Sequence, residues 1–178
     1  MNVTYPMFAK TITDYGEDGS QATFDPDYRY RYLLERTWDK DLPSVNFIML
    51  NPSTADAFIL DPTVTRCIGY AKKWGCGTLR VTNLFALRST DPKGLKVEGI
   101  NPFEHSLWMN DQFVLLAAQQ SDLVLCAWGN HGSLQGADEA VVAALQSHEI
   151  DLYCLKITKA DQPVHPLYQK ADLDPIEF

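Results

Sequence analysis

Val45-Asn46-Phe47-Ile48-Met49-Leu50-Asn51-Pro52-Ser53-Thr54-Ala55-Asp56 is the stretch on which the fold turns. Its first half is an apolar run of strand length, and Asn51-Pro52-Ser53 stops it, because proline lacks the N–H that a sheet ladder requires. A buried strand therefore ends at Asn51. A polar loop follows, and then Asp61-Pro62-Thr63, where aspartate suits a helix cap and proline the first helical position. In open parallel sheets, ligands bind beyond the carboxyl ends of the strands, so the loop from Asn51 to Asp56 is the first place to expect a site.

Outward from that stretch, strand and helix patterns alternate. Val64, Cys67, Ile68, Ala71 and Trp74 recur at helical spacing before Gly75. Leu79 to Leu84 reads as a strand delivering Asn83 and Phe85. Asp91-Pro92 and Gly94 mark turns, and Asn101-Pro102-Phe103-Glu104 resembles a capping box that opens a helix to about Gln120. Asp122 to Ala127 is a third strand with Trp128-Gly129-Asn130-His131-Gly132 as its terminal loop. Ala137 to Gln146 is a helix, and Asp151 to Ile157 a fourth strand leading to Val164-His165-Pro166. Upstream, the tyrosines and arginines of Tyr28-Arg29-Tyr30-Arg31-Tyr32 alternate with period two, predicting an antiparallel element with one packed aromatic face. The expected architecture is a single α/β domain over 1–178. It has three α/β/α layers, a mainly parallel four-stranded sheet within a core of 45–168, and an N-terminal antiparallel hairpin within 1–40.

The totals bound the function. At 178 residues the chain can bury one core. The start, MNVTYPMFAK, has no secretory-signal pattern and no run reaches membrane-spanning length, so a cytoplasmic protein without a membrane partner is expected. The formal charge of -8 disfavours duplex nucleic acid as a partner. Lys72, Lys73, Arg80 and Arg88 nonetheless fall in one region, as a basic patch or as part of a mixed surface. Cys67, Cys76, Cys126 and Cys154 form no C-x-x-C pair and read as buried thiols, so no metal is expected. Phosphate-binding and dinucleotide-binding glycine loops, the serine-hydrolase G-x-S-x-G and the zinc deaminase signature are all missing, and no cofactor is implied.

Polar residues gather at the strand ends: Asn51, Ser53 and Asp56; Asn83; Asn130 and His131; and later His165. A parallel sheet would bring them to one edge. Each also has a structural reading, since asparagine often satisfies turn backbone. Asp56 and Asp61 are candidate acid or base groups, with Asp61 better placed as the helix cap. Arg66 could reach back to a phosphate or form an outward salt bridge.

FIMLNPSTAD, DPTVTRC, WGCGTLRVTNLFALRSTDP and QPVHPLY resemble a family known only as domain of unknown function sixteen-forty-three. More distantly, the order of strand-end motifs is similar to that of the uracil-DNA glycosylase superfamily. Asn51-Pro52-Ser53 resembles its water-positioning motif, Asn83 its base-reading asparagine, Leu125 to Gly129 its third strand, and His165-Pro166-Leu167 its final segment. Met49, Leu167 and the absence of aspartate at position 51 depart from that pattern. The resemblance implies Asn51 and His165 as catalytic candidates; Asp56 joins them from the residues themselves, as an acid/base partner of His165 in another kind of hydrolase. Pro52, Ser53, Asn83, Phe85, Arg66, Arg88, Gly129, Asn130 and His131 are the ligand-binding candidates. The expected ligand is a nucleobase, nucleotide or modified nucleic-acid base, with N-glycosidic cleavage possible chemistry. The alternative is a non-catalytic nucleotide-binding or protein-interaction module.

Overall fold

The computed structural model describes residues 11–90 and 106–178. The turn signals from Asp91 to Gly94 and the cap at Asn101 lie outside the described residues. Eight strands form one sheet: β1 (Ile12–Tyr15), β2 (Gln21–Phe24), β3 (Arg31–Thr37), β4 (Ser44–Met49), β5 (Thr78–Asn83), β6 (Leu123–Cys126), β7 (Tyr153–Cys154) and β8 (Ile176–Glu177). Among the described residues three α-helices accompany them: α1 (Pro62–Lys73), α2 (Ser106–Gln119) and α3 (Ala137–Gln146).

The sheet order is β1-β2-β3-β5-β4-β6-β7-β8. β4 runs parallel to β5 and to β6, and β6 parallel to β7. The other four pairings, β1 with β2, β2 with β3, β3 with β5 and β7 with β8, are antiparallel. The expectation of a mainly parallel four-stranded, glycosylase-like sheet is thus corrected to an eight-stranded mixed one. The physical reason lies at both flanks. The N-terminal strands continue the sheet, with Leu34 opposite Val81 on β5, and the C-terminal segment returns to pair Ile176 with Cys154. The fourth strand, expected over Asp151 to Ile157, is only two residues long.

β4 is buried along its whole length, which explains its apolar run. Phe47 joins a core with Leu79, Val81 and Leu125 against Val64, Cys67, Tyr70 and Ala71 of α1. Ile48 points to the other side, with Val124 and Cys126 against Phe113 and Val114 of α2 and Val141 and Leu145 of α3. All four cysteines are buried free thiols. Among the described residues no helix is long and apolar enough to cross a membrane.

Helix α1 starts where the sequence places it. The Asp61 carboxylate accepts the Val64 N–H at 2.8 Å, and Pro62 occupies the first turn. The C-terminal segment straps this helix: the Gln169 carbonyl accepts from Arg66 Nη2, and the Leu173 carbonyl from Trp74 Nε1 at 3.2 Å. That strap carries the preceding residues, His165 included, to the carboxyl ends of β4 and β6.

Candidate functional site

A cleft of about 620 Å³ opens at those strand ends. Its described lining comes from the end of β4 (Met49 to Asn51), the loop residues Ser53 and Thr54, the start of α1, the segment after β6 (Trp128 to His131) and the stretch around His165. The size suits a small organic molecule.

Asn51 joins two loops. Its Nδ2 donates to the Ser89 carbonyl at 2.8 Å and to the Pro52 carbonyl at 3.2 Å, while the Ser89 N–H donates to Pro52 O at 2.8 Å. Two carbonyl acceptors fix the amide orientation, because a flipped Asn51 would set oxygen against oxygen. Oδ1 is left without a partner among the described residues, so Asn51 offers the cleft an acceptor.

His165 offers a donor. Its Nδ1 accepts the Leu167 N–H at 3.3 Å, capping a 3-10 turn over Pro166–Tyr168. The proton of the neutral ring then sits on Nε2. Burial holds the imidazole pKa below its ordinary value of 6.5, against the opposing pull of Asp61. The segment is pinned by the Gly129 N–H donating to Pro163 O at 2.9 Å. Gly129 has φ of +73°, and its Cα faces the His165 Cβ closely enough that an added Cβ would lie 3.6 Å away.

This environment predicts a pH dependence. The folded-state pKa is depressed, so the stabilisation from neutral His165 is complete above about 6.5, the unfolded value, and is lost as pH falls through the lower folded value. His165→Asn, which keeps a capping side chain but does not titrate there, is expected to show a shallower loss of urea midpoint on acidification than wild type. Identical pH profiles would contradict the assignment.

Arg31 is a cleft residue that the sequence pattern concealed. Facing β2, Thr23 pairs with Leu33 but Phe24 pairs with Arg31, leaving Tyr32 as the extra residue of a β-bulge. A bulge switches the side-chain alternation. Tyr30 and Tyr32 consequently pack on the side of α2 and α3, while Arg31 shares the α1 side with Leu34. Arg31 is 1% exposed, and its Nη1 donates to the Ala55 carbonyl at 2.7 Å.

The other expected residues divide. Ser53, Gly129, Asn130 and His131 line the cleft with Asn51 and His165. Asn130 is turned partly outward, its Oδ1 accepting from Thr158 Oγ1 at 2.7 Å. Pro52 is buried and outside the described lining. Asp56 stands outside the described lining; its Oδ1 accepts the Phe58 and Ile59 N–H groups, each at 2.8 Å, so it shapes the loop. Asp61 is the carboxylate that lines the cleft. Asn83 is fully buried beside Met49, its register partner on β4, and neither side-chain polar atom has a partner among the described residues. Phe85 is buried with the cluster under α2 and α3. Arg66 is turned to the C-terminal strap. Arg88 braces the loops, with Nε 3.4 Å from Ser53 O and Nη1 3.2 Å from Tyr28 O. Besides Arg31, the sequence reading missed Trp128, Thr54, Ser89, Thr90 and Tyr168. The position of Trp128 directly after an apolar strand was the available signal for it.

Comparison with curated proteins and with solved structures yields no match. The family model described as "Protein of unknown function (DUF1643)" matches residues 31–167, which takes in the strand ends and every described residue of the cleft lining except Tyr168. The chain belongs to this family.

Proposed function

We propose that the cleft binds a nucleobase-containing small molecule, with Asn51 and His165 holding the amide edge of the base. The observation that carries this reading is the pairing of a fixed acceptor with a fixed donor. Asn51 has both Nδ2 hydrogens directed at loop carbonyls, leaving Oδ1, and His165 uses Nδ1 internally, leaving Nε2–H. A nucleobase carbonyl beside a ring N–H presents the complement of that pair. Trp128, mostly buried under α2 and α3, belongs to the same lining. The resemblance of Asn51-Pro52-Ser53 and His165-Pro166 to strand-end motifs of the uracil-DNA glycosylase superfamily suits a base as the ligand, and the net charge of -8 favours a free small molecule over a duplex.

Titration calorimetry with a panel of nucleosides and nucleotides tests the proposal. At least one is expected to bind wild type, and Asn51→Ala to weaken it by about tenfold or more, the value of one well-made hydrogen bond in a desolvated site. Absence of binding across the panel, or affinity unchanged in both Asn51→Ala and His165→Ala, would overturn it.

Asp61 favours a second, hydrolytic reading, because its carboxylate lines the same cleft. A water held on Asn51 Oδ1 would attack the anomeric carbon while its proton passes to Asp61. The C–N bond would break with its electron pair going to the base, and the His165 N–H would stabilise the charge. Chromatographic release of free base, lost in Asp61→Asn with binding retained, is the expected outcome of this reading. Binding without release from any substrate would leave a non-catalytic binding protein.

A further inference from the structure

We infer that Arg31 is the anchor for a phosphate group, and that the ligand of the cleft is a nucleoside phosphate and not a nucleoside or free base. The inference rests on the nucleobase reading above and adds the charged half of the ligand.

Arg31 differs from Arg80, Arg36 and Arg88 in what it touches, and shares a buried, unpartnered Nε with Arg66, whose guanidinium is instead turned to the Gln169 carbonyl and lies 5.5 Å over the Tyr70 ring. Arg80 pairs with Glu35 at 2.7 Å. Arg36, also on β3, donates to the carbonyls of Glu35, Asp56 and Ile59. Arg88 spans two loop carbonyls and lies 5.3 Å over the Phe24 ring. Arg31 is the most buried of the four, yet among the described residues it has no carboxylate oxygen within ion-pair distance, and Ala55 O is its one hydrogen-bond acceptor. Its Nε is buried with no partner. A guanidinium has five N–H donors in a planar fork, and a buried one left largely unused is costly.

The charge cannot be relieved by losing the proton. Burial lowers the Arg31 pKa only to about 10, so the group is cationic at neutral pH. Asp61 and Asp56 act on it favourably, and Arg88 and Arg36 unfavourably. Neither aspartate comes within ion-pair distance of it: Asp61 Oδ1 accepts the Val64 N–H, and Asp56 Oδ1 holds its own loop. What the fork lacks is an oxyanion able to take parallel N–H bonds, which is the geometry of phosphate recognition by arginine. Arg31 lines the cleft, with the hydroxyl-bearing residues Ser53, Thr54 and Thr63 in the same lining. The bulge at Tyr32 is what aims it there, and bulges recur where a strand must redirect a side chain into a site.

The test compares a nucleoside, its monophosphate and inorganic phosphate on the wild-type protein. It uses calorimetry for affinity and the ¹⁵N resonance of Arg31 Nε for location. The monophosphate is expected to bind at least about tenfold tighter than the nucleoside. Phosphate alone should shift the Nε resonance, and Arg31→Lys should erase most of the preference for the monophosphate while the nucleoside still binds. The wild-type comparison stands even if Arg31→Lys fails to fold. Equal affinity for nucleoside and monophosphate, with no Nε shift, would overturn the anchor and leave the nucleobase reading intact. A phosphate-induced Nε shift with no binding of any nucleobase compound would do the reverse. Failure of every ligand would overturn both.

Discussion

Gly77→Ala is expected to destabilise the protein by about 3–5 kcal/mol, at the far end of the range for single substitutions. A Cβ at this position would lie 1.8 Å from the Asp39 carbonyl oxygen and 2.9 Å from the Leu42 Cβ. The nearer neighbour is backbone, which cannot swing aside as a side chain can. Gly77 is also held on three counts: its N–H donates to Pro43 O at 2.8 Å, and its carbonyl accepts from Trp38 N at 2.9 Å and Asp39 N at 3.1 Å. Any shift that relieves the clash strains bonds that set the starts of β4 and β5, where Ser44 pairs with Thr78. Urea denaturation followed by tryptophan fluorescence measures the loss. A change below about 1 kcal/mol would show that the turn yields without disturbing the sheet.

Trp128→Ala is the second large effect, about 3–5 kcal/mol, and it should remove ligand binding as well. Trp128 is almost fully buried and meets Phe178 edge to face at 5.7 Å. Its Nε1 donates to Gln162 Oε1 at 2.8 Å, and Gln162 Nε2 donates in turn to Asp138 Oδ2 at 2.8 Å. Gly132 packs so closely on the indole that an added Cβ would fall 2.0 Å from Cδ1. The side chain therefore ties the segment after β6, which lines the cleft, to α3, the Gln162 loop and the C-terminal residue. Trp128→Phe separates the contributions: it retains much of the packing but leaves Gln162 Oε1 without its donor, for an expected cost of about 1–3 kcal/mol. Parallel denaturation and calorimetry on both variants check this. An alanine variant with wild-type stability and affinity would contradict the role given to Trp128.

The sequence showed individual elements more clearly than their assembly. The apolar run into Asn51-Pro52, the Asp61-Pro62 cap and the helix from Ala137 to Gln146 were readable because periodicity and capping are local. Strand partners are not local. Nothing in Arg31 to Thr37 announces that it pairs antiparallel with Thr78 to Asn83, nor that the last residues return to β7. The mixed sheet follows from those two pairings.

The site was legible to the same degree. Asn51 and His165 were singled out because strand ends of parallel neighbours converge, and both line one cleft. Asn83 obeys the same rule and is level with Met49, which lines the cleft, yet it is itself fully buried and outside the described lining. Asp56 and Asp61 lie five residues apart and look alike as acids, but the loop turns the first onto its own backbone and the helix start holds the second at the cleft. Arg31 was hidden by the bulge. A strict period of two groups it with an outward polar face, and one extra residue reverses that.

A crystal structure of the protein soaked with a nucleoside monophosphate tests the central claim most directly. The base should lie in the strand-end cleft with its amide edge between Asn51 Oδ1 and His165 Nε2, and the phosphate should face Arg31. A ligand bound elsewhere at full occupancy, with the strand-end cleft holding only solvent, would contradict it.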